Sequence, residues 1–231
     1  MRLLIVGHGK MGRLIERLAP DYGFEVAGIL EIDSNAQGDG VTPERCREVD
    51  VAVDFSTAEA TLATAPRLAA AGVNLVVGTT GWQDGEAEIR EAVSRSGVGA
   101  VVAANFSLGA NLMNALVSEM GRLLADKETY GAWIHEAHHQ AKIDAPSGTA
   151  LMLKRALEET GYGRPVDVAS TRAGWIPGTH SVGFDGPAES LTLTHAVRDR
   201  ATFAHGALEA ARWVTGRKGW YTMRNVLGLG S

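Results

Sequence analysis

Five short apolar segments alternate with helix-type segments over the first hundred residues, and this alternation limits the fold more than any other feature. Each segment is a continuous run of mainly aliphatic residues, without the polar alternation of a half-exposed strand. Continuous apolar strands are typical of a parallel sheet that is covered on both faces. The alternation therefore predicts a doubly wound, Rossmann-type parallel sheet of the α/β class. The segments lie at 3–6, 24–30, 49–55, 73–77 and 98–104.

The pattern changes beyond residue 106. A long amphipathic helix is predicted at 108–124, and strand-type runs follow it with one helix among them, at about 149–159. Leu191-Thr192-Leu193-Thr194 alternates apolar and polar residues, as a strand does when one of its faces is in water. These features predict a second, α+β domain built on an open mixed sheet, with a final helix at 207–214 and a short tail after it. The strand-type runs lie at 132–134, 166–172, 181–184 and 191–197.

A glycine-rich turn follows the first predicted strand. Gly7-His8-Gly9-Lys10-Met11-Gly12 has the spacing G-x-G-x-x-G, in which the glycines allow a tight turn, close approach of a pyrophosphate and packing of the helix on the strand. The start of the helix adds N–H donors for the phosphates. Glu31 ends the second strand 19 residues after Gly12, where a carboxylate accepts hydrogen bonds from a ribose diol. The sequence therefore predicts a nicotinamide dinucleotide site.

Two further loops follow strands of the same predicted sheet, Gly78-Thr79-Thr80-Gly81 and Ala103-Ala104-Asn105-Phe106. Ligands of open α/β sheets bind at the carboxyl ends of the strands, so we expect these loops to contact the nicotinamide half. Ser56-Thr57-Ala58-Glu59 has the spacing of a capping box and predicts a helix start. The predicted cofactor-binding residues are Gly7, Gly9, Lys10, Met11, Gly12, Glu31, Gly78, Thr79, Thr80, Ala103, Ala104, Asn105 and Phe106.

The residues after Glu31 bear on the choice between NADH and NADPH. Ile32 and Asp33 follow it, so no cation stands there for the 2′-phosphate of NADPH. This favours NADH, although Lys10 or Arg13 could reach such a phosphate from the glycine turn. The predicted cofactor is therefore NADH or NADPH.

The densest polar cluster, at 135–149, holds three of the seven histidines. Imidazoles are suited to proton transfer near neutral pH, and Lys142 is a cation that can hold a carboxylate. Ser147-Gly148-Thr149 has the pattern of an N-cap followed by exposed helix N–H groups, which favours an anion. Together these residues predict a site for a small dianionic substrate. Four other polar residues are interpreted as structural: His8, Arg172, His195 and His205.

The run His135-Glu136-Ala137-His138-His139 also matches the H-E-x-x-H pattern of zinc peptidases. That pattern binds zinc only on a helix, whereas Trp133-Ile134 before it and Pro146 after it predict a strand that runs into a loop. On a strand the outer two histidines lie about 13 Å apart, too far to share one ion, so no metal is expected. A zinc metallopeptidase and a non-catalytic NAD-sensing regulator remain the alternatives to an enzyme of dinucleotide chemistry.

Composition excludes several other classes. The 22 Lys and Arg against 27 Asp and Glu give a net charge of −5, so general nucleic-acid binding is not expected. The single cysteine, Cys46, cannot form an internal disulfide and suits a reducing cytoplasm. No apolar run reaches the roughly 20 residues of a membrane helix, so no membrane partner is expected.

Four segments together resemble the dihydrodipicolinate reductases, also called 4-hydroxy-tetrahydrodipicolinate reductases. They are the glycine turn at 7–12, Gly78-Thr79-Thr80-Gly81, Ala104-Asn105-Phe106-Ser107, and the segment from Glu136 to Ala150. The last of these is highly specific, whereas the glycine turn is shared by many dinucleotide-binding proteins. The resemblance extends over essentially the whole chain.

The resemblance implies a reaction and roles for individual residues. The reaction is the reduction of 4-hydroxy-tetrahydrodipicolinate to tetrahydrodipicolinate by NADH or NADPH, in bacterial diaminopimelate and lysine synthesis. The family's acid/base residue corresponds to His138 and its second proton donor to Lys142. His139 and Gly148-Thr149 correspond to contacts with the substrate carboxylates, and we add Ser147, the predicted N-cap beside them.

The resemblance also implies how the chain is organised and assembled. Family members are homotetramers joined through the sheet of the second domain, and their C-terminal helix returns to the first domain. Residues 1–106 with 207–231 are therefore expected to form the dinucleotide-binding domain, and residues 107–206 the substrate-binding and oligomerisation domain. The expected partners are a small dicarboxylate and further copies of the chain.

Overall fold

A six-stranded parallel sheet organises the first of two units, which consists of residues 1–107 and 201–231. The computed structural model describes residues 1–31, 35 and 37–229. The order of the strands across the sheet, β10-β5-β4-β3-β1-β2, reverses between β1 and β3, so the predicted doubly wound sheet is confirmed. The strands are β1 (Arg2–Val6), β2 (Glu25–Leu30), β3 (Val51–Asp54), β4 (Asn74–Val77), β5 (Gly99–Val102) and β10 (Gly219–Tyr221).

Four strands of this sheet, β1, β3, β4 and β5, are almost wholly buried because helices pack on them, whereas β2 and β10 are mostly half-buried. Leu4, Ala52 and Leu75 belong to one core cluster with residues of the helices that follow β3 and β4. Burial of such aliphatic side chains is the main stabilising contribution to a sheet of this kind. The α-helices with described bounds in this unit are α1 (Lys10–Leu18), α2 (Pro43–Cys46), α3 (Ala58–Ala70), α4 (Glu86–Ser96), α7 (Ala201–Val214) and α8 (Met223–Val226).

Two predictions at the C-terminus are wrong. The last long helix, α7, begins at Ala201 and not at 207, because Gly206 packs inside it: a Cβ there would lie 1.7 Å from the carbonyl oxygen of Phe106. Glycine is a poor helix former, so the sequence pattern hides this continuation. The predicted tail at 221–229 begins with the last residue of β10, which adds a sixth parallel strand beside β5, and α8 follows it.

A four-stranded mixed sheet organises the second unit, residues 108–200. Its order is β7-β6-β8-β9; β6 and β7 are parallel, and the other neighbours are antiparallel, so the predicted mixed sheet is confirmed. Two helices, α5 (Leu108–Leu124) and α6 (Gly148–Glu158), also lie in this unit. The strands are β6 (Gly131–His138), β7 (Val166–Arg172), β8 (Thr179–Asp185) and β9 (Ser190–Ala196).

The two faces of this second sheet differ. Ile134 and Val182, which are register partners, are buried in a core that includes Leu153 of α6. Their strand neighbours Trp133 and Ser181 lie on the opposite face, where the side chains are half-buried or exposed. Among the described helices of the whole chain, none has both the length and the apolar character needed to cross a bilayer.

Candidate active site

The glycine turn between β1 and α1 is shaped for the close approach of a ligand. Helix α1 begins at Lys10, directly after Gly9. A Cβ on Gly12 would lie 2.1 Å from the carbonyl oxygen of Gly7, so a larger residue would push the helix away from the turn. A Cβ on Gly9 would meet nothing within 4 Å, which means that open space lies above the backbone there. This space and the N–H groups of the helix start fit a pyrophosphate.

A cleft of about 390 Å³ opens beside the turn, at the carboxyl ends of β1, β3 and β4. Nucleotides bind doubly wound sheets at this place, where the order of the strands reverses. The structure thus brings together the predicted residues of the glycine turn and of the loop after β4. Among the described residues, those at 103–106 do not line the cleft but follow β5, farther along the sheet. The cleft is lined by Gly9, Lys10, Met11, Phe55, Ser56, Thr57, Gly78, Thr79 and Thr80.

Asp54, a buried carboxylate at the end of β3, is hydrogen-bonded to residues that line this cleft. It accepts hydrogen bonds from the hydroxyls of Ser56 (2.5 Å), Thr61 (2.9 Å) and Thr79 (3.0 Å). Burial raises the pKa of Asp54, and the hydrogen bonds from these hydroxyls only partly offset the increase. The hydroxyl of Thr79 is therefore used inside the protein, whereas Thr80 is exposed in the cleft.

The predicted capping box at Ser56 is wrong. The N-cap of α3 is Thr57, whose side chain accepts a hydrogen bond from the backbone N–H of Ala60 at 3.2 Å. Ser56 does not cap because its hydroxyl donates to Asp54. A hydrogen bond to a buried carboxylate two residues earlier has thus displaced the cap by one residue.

Glu31 follows β2 and is exposed, as a ribose-binding carboxylate would be. Its Oε1 lies 3.6 Å from Nδ1 of His8, while Nε2 of His8 lies 2.7 Å from Oε2 of Glu16. The imidazole of the glycine turn therefore links α1 to the residue predicted to bind the ribose. Ile32 and Asp33, on which the prediction of NADH depends, lie outside the described residues.

In the second unit a buried glutamate, Glu136 on β6, is the centre of the polar cluster. Its Oε1 accepts hydrogen bonds from Nη2 of Arg172 at 2.7 Å and from the backbone N–H of Ser147 at 3.2 Å. Its Oε2 lies 2.5 Å from Nδ1 of His138, two residues along the same face of the strand. The carboxylate therefore contacts groups from β6, from β7 and from the start of α6.

These contacts determine the charges in the cluster. Burial raises the pKa of Glu136, but the hydrogen bonds from Arg172, Ser170 and Ser147 outweigh it and lower the pKa to about 2. Glu136 is therefore ionised at neutral pH. Burial lowers the pKa of His138, and the neighbouring Glu136 carboxylate opposes that shift.

A second imidazole, His180 on β8, packs against His138. The two rings are 5.1 Å apart and nearly perpendicular, and Nε2 of His180 lies 3.1 Å from Oγ of Ser147. Burial lowers the pKa of His180 to about 4, so this ring is neutral at neutral pH.

Glu136, His138 and His180 present atoms of the kind that bind metals, all within 4.8 Å of one another, so the cluster is a candidate metal site. Two ligands of a tetrahedral zinc ion are about 3.3 Å apart. The 2.5 Å between Nδ1 of His138 and Oε2 of Glu136 is much shorter, which leaves no room for an ion coordinated by both atoms. The Arg172 guanidinium on the same carboxylate also favours an ion pair over a metal site.

The predicted N-cap at Ser147 is confirmed. Its Oγ accepts a hydrogen bond from the backbone N–H of Ala150 at 3.2 Å, and α6 begins at Gly148. Gly148 is exposed and Thr149 is half-buried, and a Cβ on Gly148 would meet nothing within 4 Å. The first turn of α6 thus presents backbone N–H groups and the positive end of the helix dipole next to the histidines.

Lys142 and His139 lie in the loop between β6 and α6. Nζ of Lys142 pairs with both carboxylate oxygens of Asp144, at 2.7 and 2.9 Å. Nη2 of Arg172 donates to the backbone oxygen of Asp144 at 2.5 Å, which fixes this loop to the same arginine that holds Glu136. The carbonyl oxygen of the half-buried His139 accepts from the Lys142 backbone N–H. The structure therefore brings His138, Lys142 and the start of α6 into one cluster.

The zinc-peptidase pattern is not realised. The run from His135 to His138 is part of the strand β6 and not of a helix. His135 lies on the face of the sheet opposite to Glu136, and its Nε2 is 3.0 Å from Oγ1 of Thr171. The sequence-based reading of a strand that ends in a loop is confirmed.

Phe55, Ser56 and Thr57 line the dinucleotide cleft but were not predicted to bind the cofactor. Asp54 and His180 were not singled out, and Arg172 was interpreted as structural although it lies in the cluster. Asp54 carried a usable signal, because a carboxylate at the end of an apolar run is unusual in a core. Arg172 and His180 come from strands far along the chain and carried no local signal.

Comparison with known proteins agrees with this geometry. Residues 1–106 match the family model for the N-terminal part of dihydrodipicolinate reductase, and residues 109–227 match the model for its C-terminal part. The chain is 40% identical to a 4-hydroxy-tetrahydrodipicolinate reductase of Acidiphilium cryptum (strain JF-5), with 99% of this chain and 98% of that protein covered. It is 38% identical to the protein of the same name from Bradyrhizobium diazoefficiens, with the same coverage.

A solved structure is similar over nearly the whole fold. It is a dipicolinate-bound dihydrodipicolinate reductase from Paenisporosarcina sp. TG-14, with a TM-score of 0.80 and 21% identity, and the match covers 96% of this chain and 97% of that one. At this identity the likeness concerns the fold, and the sequence matches establish the relationship. A glycine turn in a doubly wound sheet, a histidine–lysine cluster beside a helix start, and matches to both halves of one family agree: the chain belongs to the dihydrodipicolinate reductase family.

Proposed function

We propose that this enzyme reduces 4-hydroxy-tetrahydrodipicolinate to tetrahydrodipicolinate with NADH or NADPH, as a step of diaminopimelate and lysine biosynthesis. Relatives that carry the name of this reaction match the chain along its full length. The structural observation that carries the proposal is the cluster of His138, Lys142 and the start of α6. It combines an acid, a cation and N–H donors in the way that a small dianionic imine requires. Neither a metallopeptidase nor a non-catalytic regulator receives support.

The first unit is the proposed dinucleotide-binding domain. When bound, the dihydronicotinamide supplies the hydride. The turn at Gly7 to Gly12 and Lys10 hold the pyrophosphate, and Glu31 accepts hydrogen bonds from the ribose hydroxyls. Thr80 and the backbone of Gly78 and Thr79 orient the nicotinamide half, with Ala103 to Phe106 farther along the same edge.

The second unit is the proposed substrate-binding domain. Its groups bind the two carboxylates of the substrate and donate a proton as electron density builds up on the substrate ring. His138 is the proton donor, and Lys142 binds a carboxylate and serves as the second donor. Ser147, Gly148 and Thr149 offer the N-terminus of α6 to a carboxylate, as anions favour such a position. His139 contacts the same substrate group. General acid help of this kind is typically worth about 10²–10⁴-fold.

The cofactor preference follows from Glu31. A carboxylate at the ribose repels a 2′-phosphate, so we propose that NADH is preferred over NADPH. The ratio of kcat/KM for the two cofactors measures the preference. The Glu31→Gln variant is expected to reduce this ratio because it removes the repulsion and keeps the size of the side chain.

The second unit is also the proposed place of assembly. The face of its sheet that carries Trp133 and Ser181 holds half-buried and exposed side chains, and we propose that four copies of the chain associate through it. Light scattering of the purified protein measures the mass, and a charged Ser181→Arg variant is expected to give smaller species. Because the reaction consumes NADH or NADPH, we place the enzyme in the cytoplasm, where these cofactors are regenerated.

The test of the proposed activity is turnover of freshly generated substrate with each of the two nicotinamides. The expected result is oxidation of the cofactor that depends on substrate and is inhibited competitively by dipicolinate, the compound bound in the related structure. Bound cofactor without turnover would contradict the proposal and favour a regulatory protein instead.

A further inference from the structure

Glu136 joins parts of the active site that belong to three different elements. It is completely buried, and it contacts the imidazole of His138, the guanidinium of Arg172 and the backbone N–H of Ser147. We propose that Glu136 is the positioning residue of this site: it fixes the tautomer and orientation of His138 and holds the start of α6 at a set distance from that ring. This inference rests on the proposed role of His138 as proton donor.

The tautomer follows from the chemistry of the carboxylate. The Arg172 guanidinium and the backbone N–H of Ser147 both donate to Oε1 of Glu136 and help to lower its pKa to about 2, so the carboxylate is ionised at neutral pH. An ionised carboxylate can only accept, so the close approach of Nδ1 to Oε2 assigns a proton to Nδ1 of His138. Nε2 is then the nitrogen that exchanges a proton with substrate. The adjacent negative charge also stabilises the imidazolium form that acts as the acid.

The surroundings of Nε2 agree with this assignment. Gly178, which precedes β8, has a φ of +149°. A Cβ at this position would lie 3.1 Å from Nε2 of His138. Any side chain there would therefore occupy the space next to the nitrogen that we assign to proton transfer.

Stability alone is a poor explanation for burying this ion pair. Replacement of a buried ion pair by well-packed apolar residues is often neutral or stabilising, so such a pair is weak evidence for a purely structural role. Arg172 compensates the charge of Glu136 and also holds the backbone of Asp144, next to Lys142. The pair thus orients the groups of both proposed proton donors.

The charged and titratable groups around His138 come from every strand packed on β6 and from the following loop. They are Glu136 on β6 itself, Arg172 on β7, His180 on β8 and Lys142 in the loop. Glu136 is the anion in direct contact with the ring. Its removal is therefore expected to lower the pKa of the His138 imidazolium, since the other neighbours are cationic or neutral.

Kinetics of a double-mutant cycle test whether Glu136 acts through His138. We expect Glu136→Gln to lower kcat about 10–100-fold with little change in KM, and to move the basic limb of the pH profile of kcat/KM to lower pH. In a His138→Gln background the same change should lower kcat less than about 3-fold. Glu136→Asp, which keeps the charge, should leave the basic limb near its wild-type position. Equal losses in the two backgrounds would overturn the proposal.

A spectroscopic measurement separates this inference from the proposed reaction. The ¹⁵N chemical shifts of the His138 ring in the full-length protein report which nitrogen carries the proton, whether or not the protein turns over. We expect the Nδ1–H form in the native protein and a different ring state in Glu136→Gln, with Glu158→Gln on the exposed side of α6 as the matched control. An Nε2–H ring in the native protein would contradict the assignment, even if no Glu136 variant folds.

Discussion

Both sites are built around a buried carboxylate close to the end of a strand, but the two carboxylates have different neighbours. Asp54 is surrounded by hydroxyls, and burial raises its pKa. Glu136 faces an arginine and a histidine, and its pKa is lowered to about 2. The dinucleotide cleft therefore depends on shape and backbone donors, with Asp54 as part of its scaffold. The second site depends on charge, with Glu136 as its centre.

This difference accounts for what each region would bind. A pyrophosphate is recognised by the N–H groups of a glycine turn, so Gly9 and Gly12 matter because they have no side chain. A dicarboxylate that must also receive a proton needs side chains that carry charge, such as Lys142 and His138. Substitutions in the two regions should therefore separate cofactor binding from substrate binding.

The largest difference between the effects on substrate binding and on cofactor binding is expected for Lys142→Ala. Loss of a charged hydrogen-bond donor costs about 1.5–3 kcal/mol, so the affinity for dipicolinate should fall about 10–100-fold while the affinity for NADH stays the same. Calorimetric titration with each ligand measures both quantities. The matched control is Lys154→Ala, a lysine on α6 that pairs with Glu158. Unchanged dipicolinate affinity in Lys142→Ala would contradict the role given to this residue.

The opposite result, a loss of cofactor binding, is expected for Gly9→Ala. The added Cβ meets no protein atom within 4 Å, so the fold should persist with an unchanged melting temperature. It would occupy the space assigned to the pyrophosphate, so the KM for NADH should rise about 10-fold or more. Gly131→Ala, in the second unit and equally open, serves as the control. A normal KM for the cofactor would show that the phosphates bind elsewhere.

A smaller effect is expected at the edge of the second site. Gly178→Ala places a Cβ next to Nε2 of His138, and its φ of +149° also disfavours alanine. We expect kcat to fall about 10-fold, since misplacement near the reacting atoms reduces the rate without abolishing it. Steady-state kinetics measure the change. If KM for NADH changed and kcat did not, the assignment of Nε2 would be wrong.

The smallest effects concern stability at low pH, and they have opposite signs for the two carboxylates. Because the folded pKa of Glu136 is depressed, its contribution is present above the unfolded value near 4.5 and is lost as the pH falls toward about 2. Because the folded pKa of Asp54 is raised, its contribution falls as the pH rises above the unfolded value near 3.8.

Melting temperatures across this range measure both slopes. Glu136→Gln should flatten the acid limb of the stability profile, and Asp54→Asn should raise stability relative to the native protein as the pH rises above 4. If both variants gained stability relative to the native protein as the pH rises, or if both lost it, the contrast between the two sites would be contradicted.

The sequence predicts local features well and long-range ones poorly. The glycine turn and the N-cap at Ser147 are correct because each depends on residues within a few positions. The prediction of the second site was incomplete because it left out Arg172 and His180. Arg172 contacts Glu136 across 36 residues of sequence, and His180 contacts Ser147 across 33. These contacts are set by the pairing of strands β6, β7 and β8, which no local pattern specifies.

The errors have a similar cause. Ser56 fits a capping box, but its hydroxyl donates to Asp54, a carboxylate that is buried at the end of β3, so Thr57 is the cap. Strand β10 is only three residues long and forms because β5 offers an unpaired edge. Helix α7 extends over Gly206 because only a residue without a side chain fits so close to the backbone of Phe106. In each case packing outweighs local propensity.

Proton donation by His138 is tested by the rate of a single turnover in His138→Gln, with cofactor and freshly generated substrate both bound. We expect a rate about 10²–10⁴-fold below that of the native enzyme with little change in either affinity, and a nearly native rate in His135→Gln on the opposite face of the same strand. A nearly native rate in His138→Gln would contradict the account.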